Sequence, residues 1–125
     1  MERVVRGSFI ELATRVIRRS PVGDASFWKG SKPKGYTGGR FRANWQASVN
    51  SPKEGVKNTT SSSTATGSVK SAASKKNAHS YYLMNNLPYA KALEDGHSRQ
   101  ARDGIVKLAA AEWKSIVKMV NRLTK

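Results

Sequence analysis

A chain of 125 residues, 38% of them hydrophobic, has material for one domain with one modest core, spanning residues 1–125, and not for two. It has no cysteine, which excludes disulfides and thiolate metal sites, and no apolar run near the ~20 residues that cross a bilayer, so a soluble, unexported protein with no membrane partner is expected. Its 23 lysines and arginines against 8 aspartates and glutamates give a net charge of +15, a self-repulsion that calls for a negative partner such as nucleic acid, anionic lipid or an acidic protein surface.

Residues 3–19 place Val5, Phe9, Leu12 or Ala13, Val16 and Ile17 on one stripe, the pattern of an amphipathic helix. Arg3, Arg6, Arg15, Arg18 and Arg19 decorate its other side, a solvated face that also suits the negative end of the helix dipole. Gly7 weakens this helix, and Ser20-Pro21 ends it.

Residues 20–39 are rich in glycine and proline and read as loop. Trp28 and Tyr36 interleave there with Lys29, Lys32 and Lys34, with Arg40 and Arg42 following, and no acid lies between Asp24 and Glu54. Aromatics among cations serve single-stranded nucleic acid by stacking and phosphate attraction, and they serve protein interfaces as anchors. The plain alternative is that Phe27 and Trp28 cover an edge of the core. GYTGGR lacks the spacing and the Lys-Ser/Thr end of a phosphate loop.

From Arg40 to Asn50, Phe41, Ala43, Trp45, Ala47 and Val49 alternate with Arg42, Asn44, Gln46, Ser48 and Asn50, which predicts a strand with one wet or interface-facing side. Residues 51–67 hold little to bury and are expected to be a mobile loop, with a short helix over 68–77. Strand propensity at His79 to Leu83, in a strand over Ser80 to Asn85, gives a second strand that pairs most economically with the first, as a hairpin-like sheet.

The stretch from Asn85 to Gly104, NNLPYAKALEDGHSRQARDG, carries more local specification than a spacer needs. Pro88 stops the preceding strand, residues 89–94 read as a short helix, and Gly96 closes the turn. Glu94 is expected to pair with an arginine, and Glu94, His97 and Gln100 to hold the loop to Gly104 as part of a subunit contact. A last amphipathic helix runs from Asp103, its N-cap, to Leu123 through Ile105, Ala109, Trp113, Ile116, Val117 and Val120, although Ile105 to Leu108 could be extended instead. Two such helices against a small antiparallel sheet make an α+β fold.

No chemistry-bearing constellation emerges. His79 and His97 are the only histidines and lack cysteine partners for zinc. Ser98, His97 and Asp95 or Asp103 are too close in sequence for a triad, and no nucleophile elbow exists. The expectation is a protein that is not an enzyme, with no catalytic residues, no metal and no cofactor.

NNLPYAKALEDGHSRQARDGIV resembles the signature of small tailed-bacteriophage proteins called minor tail, tail-completion or neck proteins, through Asn85, Asn86, Leu87, Pro88, Tyr89, Ala90, Leu93, Glu94, Gly96, His97, Ser98, Gln100, Ala101 and Gly104. Residues 20–46 resemble the family's Ser/Thr-Pro-Val-Asp-Thr-Gly-Arg-Leu-Arg-x-x-Trp passage, ending at Trp45, with an insertion between Val22 and Gly38. Arg102 stands where the family has proline. The resemblance implies a structural virion protein, a tail-completion or neck ring of six or twelve copies that joins tail to head. Its partners would be the phage connector, neck or tail-tube proteins, with genomic DNA in the channel, and it would assemble in the host cytoplasm. Charge alone supports another function, a small basic nucleic-acid-binding module built on Trp28, Lys29, Lys32, Lys34, Tyr36, Arg40 and Arg42.

Overall fold

A computed structural model describes residues 2–20, 39–76, 78–87, 90 and 105–124. The architecture is α+β: a two-stranded antiparallel sheet with helices from both ends of the chain packed around it. Helix α1 spans Glu2–Arg19. Most of its expected stripe is the inner face, with Phe9, Ala13, Val16 and Ile17 buried and Val5 left exposed, and Ser8 joins them although nothing in its side chain called for burial. Gly7 lies against Val120 of the C-terminal helix, where a side chain would collide.

The stretch read as one long strand divides in two. Arg40–Ala43 forms a single helical turn, α2, entered through Gly39 at φ 85°, and strand β1 is only Gln46–Val49. The residues at 41 and 45 satisfy both periods, two and four, so the alternation did not discriminate. As a turn, the segment puts the Phe41 and Trp45 rings edge to face with centroids 5.6 Å apart. The expected wet side of the strand is also absent, because Asn44, Gln46 and Ser48 are as buried as their apolar neighbours. Chain 51–58 returns along those polar residues and supplies the backbone partners that let them be buried.

Helix α3 is Ser62–Ala73, so it begins inside the segment expected to be a loop and ends before residue 77. Ala65, Val69 and Ala72 are its buried side. Ser68 Oγ accepts the Ala47 N–H at 3.1 Å, which ties α3 to β1. Strand β2, Tyr81–Met84, pairs antiparallel with β1 in the register Gln46 to Met84 and Val49 to Tyr81. Tyr81 and Leu83 pack on the core, while Tyr82 is exposed. Asn50, at φ 65°, closes that end of the ladder, its Oδ1 accepting the His79 N–H at 2.6 Å. Asparagine tolerates this left-handed conformation.

The last helix is two helices, α4 (Val106–Ala111) and α5 (Trp113–Thr124), joined at Glu112. The residue before α4 is Ile105 rather than the expected Asp103, which lies outside the described residues, and Val106 to Leu108 are helical, not extended. Ile105, Ala109, Ile116 and Val120 are buried as the stripe predicted, but Trp113 and Leu123 are exposed. The core sits between α1, α2, α3 and the sheet, with the Phe9 and Tyr81 rings stacked at 4.8 Å.

Candidate functional site: an amide-clasped basic loop

The end of α1 leaves backbone carbonyls without helical partners. Arg42 supplies them: its Nη2 donates to Arg18 O at 2.8 Å and to Ser20 O at 2.7 Å, and its Nε donates to Ser20 O at 3.0 Å. Trp45, buried in the core, donates its indole N–H to Ser20 Oγ at 2.6 Å, and that hydroxyl donates to Val16 O at 2.7 Å. Arg42 and Trp45 are therefore engaged inside the chain, Trp45 on the buried side that its place in the alternation predicts.

Asn85 and Asn86 have similar internal duties. Asn85 Nδ2 donates to Phe41 O at 2.9 Å and its Oδ1 accepts the Leu87 N–H at 3.2 Å. Asn86 Nδ2 donates to Gly55 O at 2.9 Å and to Lys53 O at 3.1 Å. Arg40 begins α2, half-buried. The other expected site residues (Trp28, Lys29, Lys32, Lys34, Tyr36, Pro88, Tyr89, Glu94, Gly96, His97 and Gln100) lie outside the described residues.

Asn86 is one of three amides that grip the same segment. Fully buried Asn44 clasps Lys57 on both sides: its Oδ1 accepts the Lys57 N–H at 2.6 Å and its Nδ2 donates to Lys57 O at 2.9 Å. Gln46 Nε2 donates to Gly55 O at 2.9 Å, sharing that carbonyl with Asn86. Gly55 makes the bend at φ 80°. Residues 53–57 are thus pinned by backbone bonds while the Lys53 and Lys57 side chains stay exposed.

This loop faces α3 across a cleft with two adjoining compartments of about 250 and 160 Å³. They share Ala47, Lys53 and Ser71; Lys75 and Ser51 line the first, and Lys57, Thr64 and Ser68 the second. Among the described residues neither compartment has an acidic lining residue, and Glu54, within the loop, lines neither. Such a cleft offers cationic and hydroxyl donors to an anion. The sequence did not point to it, since Lys53 and Lys57 lie in the stretch expected to be a mobile loop and Lys75 in the short helix expected after it. One signal was present: the polar side of β1 carries amides, which can satisfy buried backbone groups from both ends, where a solvated face usually carries charges.

A second concave surface is apolar. A groove of about 360 Å³ runs between α1, β2 and α4, lined by Val5, Phe9, Leu12, Val16, Tyr81, Leu83, Val106, Ala109, Ala110 and Trp113. Val5, Val106 and Trp113 at its rim are 43%, 44% and 39% exposed.

At the joint of α4 and α5, the Glu112 carboxylate takes the Arg19 guanidinium in a two-pronged bond, with Nη2 to Oε2 at 3.0 Å, and Arg15 Nη1 lies 3.1 Å from the same Oε2. The hydrogen bond from Arg19 holds the Glu112 carboxyl below its ordinary range and raises Arg19 in turn. Arg15 also meets Glu11 one turn before it, at 2.7 Å. This arginine face is thus partly neutralised by its own chain. Among the described residues no three His, Cys, Asp or Glu stand together as metal ligands, and no helix is long and apolar enough to cross a membrane. The chain matches no known protein family, no characterised protein and no solved structure.

Proposed function

We propose that this chain is a structural virion protein of a tailed phage, a tail-completion or neck subunit that joins tail to head as a cyclic homo-oligomer of six or twelve copies. The observation that carries this reading is that the described ends of the two passages resembling such proteins meet in space. Asn85, from the second, bonds the Phe41 carbonyl of the first, and Arg42 and Trp45 close α1 at Ser20 where the first begins. Two separated stretches that form one hydrogen-bonded unit act as a single structural signature. The apolar groove at Val5, Val106 and Trp113 supports an assembling subunit, because apolar surface of this kind marks interfaces. Front-to-back contacts between copies close into a ring when their rotation permits. Connector, neck or tail-tube rings would be its neighbours, the virion its location, and the fold acts as a joint rather than a catalyst.

Deletion of the gene from a producing phage is expected to leave filled heads and separate tails that fail to join, with lysis unchanged. Infectious particles from that deletion would refute the reading. In the purified protein, Trp113→Asp should lower the assembly state while leaving the helical content of the subunit intact, measured by light scattering and circular dichroism.

A further inference from the structure

We propose that the cleft between loop 53–57 and α3 is a binding site for the phosphates of a nucleic-acid backbone. This inference does not depend on a place in the virion, and it uses none of the residues of the 28–42 segment.

Three features point to this ligand. The charge is cationic and concentrated: Lys53, Lys57 and Lys75 line two adjoining compartments whose other polar side chains are hydroxyls and the Gln46 amide, and among the described residues no carboxylate lines either one. Ammonium groups with hydroxyl donors are the usual partners of phosphate oxygens. The cleft is also built in advance. Asn44, Gln46 and Asn86 hold the loop by its backbone, so Lys53 and Lys57 are presented from a fixed support rather than a wandering one. Less ordering cost then opposes binding.

The shape selects among anions. A concave cleft with two adjoining compartments receives the projecting sugar-phosphate edge of one strand, single or within a duplex, more readily than the flat face of a folded acidic protein. A bilayer needs apolar area to enter it, and Val56 is the one large exposed apolar side chain within this loop. Among the described residues no aromatic except Trp45, buried in the core, lines the cleft, so these residues offer bases no stacking surface and recognition is of the backbone, without sequence preference.

The test uses the full chain and a fluorescent DNA duplex, with binding followed by anisotropy between about 50 and 200 mM salt. The variant K53Q/K57Q/K75Q is set against K114Q/K118Q/R122Q, which removes the same charge from exposed positions on α5. Because backbone groups of Lys53 and Lys57 hold the loop, the cleft variant should melt like the parent. It is expected to bind at least about tenfold more weakly and to lower the salt slope by roughly 2 to 3, while the control changes the slope by less than about 1. Equal losses in the two variants would reduce the site to net charge and overturn the proposal, as would a parent that does not bind DNA. Polyglutamate or phosphatidylserine vesicles displacing the duplex from these lysines as well as unlabelled DNA does, or saturation of the cleft by inorganic phosphate alone, would assign it to another anion and equally overturn it.

Discussion

A Cβ atom placed on Gly7 would lie 2.7 Å from Val120 Cγ1, so α1 and α5 approach as closely as they do because residue 7 has no side chain. Gly7→Ala therefore tests two opposing effects. Helix propensity favours alanine by about 1 kcal/mol, whereas overpacking against a stiff, β-branched neighbour costs about 1 to 3 kcal/mol. The collision is expected to win, with a net loss of about 1 kcal/mol in urea unfolding. Gly7→Ala combined with Val120→Ala should be less destabilised than the sum of the two single changes, because the pair share one contact. A more stable Gly7→Ala would show that the helices separate at little cost.

The Glu112 carboxylate, bonded to Arg19 and Arg15, titrates below an ordinary glutamate in the folded chain. A lowered folded-state pKa means that the stabilisation is present above the unfolded value of about 4.3 and is lost as pH falls through the folded value. The melting temperature of the parent should thus exceed that of Glu112→Gln from pH 5 to 7, and the gap should narrow toward pH 3. Melting temperatures that differ by the same amount at pH 3 and pH 6 would place the contribution of Glu112 outside its charge.

Asn44 is buried and hydrogen-bonds Lys57 N–H, Lys57 O and Arg40 O. Asn44→Ala strips partners from three backbone groups, and a buried group left unpaired costs about 1 to 3 kcal/mol. Water reaching the loop softens that cost, so a total loss of about 2 to 3 kcal/mol is expected. Amide exchange at Lys57 should accelerate more than exchange within α5. Exposed Asn86→Ala should cost less, about 0.5 to 1.5 kcal/mol. Uniform acceleration across the chain would mean that Asn44 holds the whole fold and not the loop.

Trp45→Phe keeps an aromatic ring beside Phe41 and removes the donor to Ser20 Oγ. Ser20 retains its bond to Val16 O, so the expected loss is about 1 to 3 kcal/mol, from one hydrogen bond and the volume of the missing ring. If the indole N–H matters through α1, exchange at the end of that helix should rise. An unchanged unfolding midpoint would remove Trp45 from the account of how α1 ends.

Helix α1 was legible to within a residue, and so was the buried stripe through Ile105, Ala109, Ile116 and Val120, because the period of an amphipathic helix is written locally along the chain. Antiparallel pairing of 46–49 with 81–84 was legible as well, since two short β-prone runs have few ways to cover each other. Tertiary structure decided the rest. Arg40 to Ala43 is a turn beside the open end of α1, which Arg42 caps from there. Whether Asn44 and Gln46 would face water depended on chain 53–57 coming back to meet them. Ser62 to Ala73, with little apolar content of its own, is helical because β1 and α1 offer its alanines and Val69 a surface to bury. In each case the deciding partner lies far along the sequence, and an isolated segment holds no record of which backbone groups a distant one will bring.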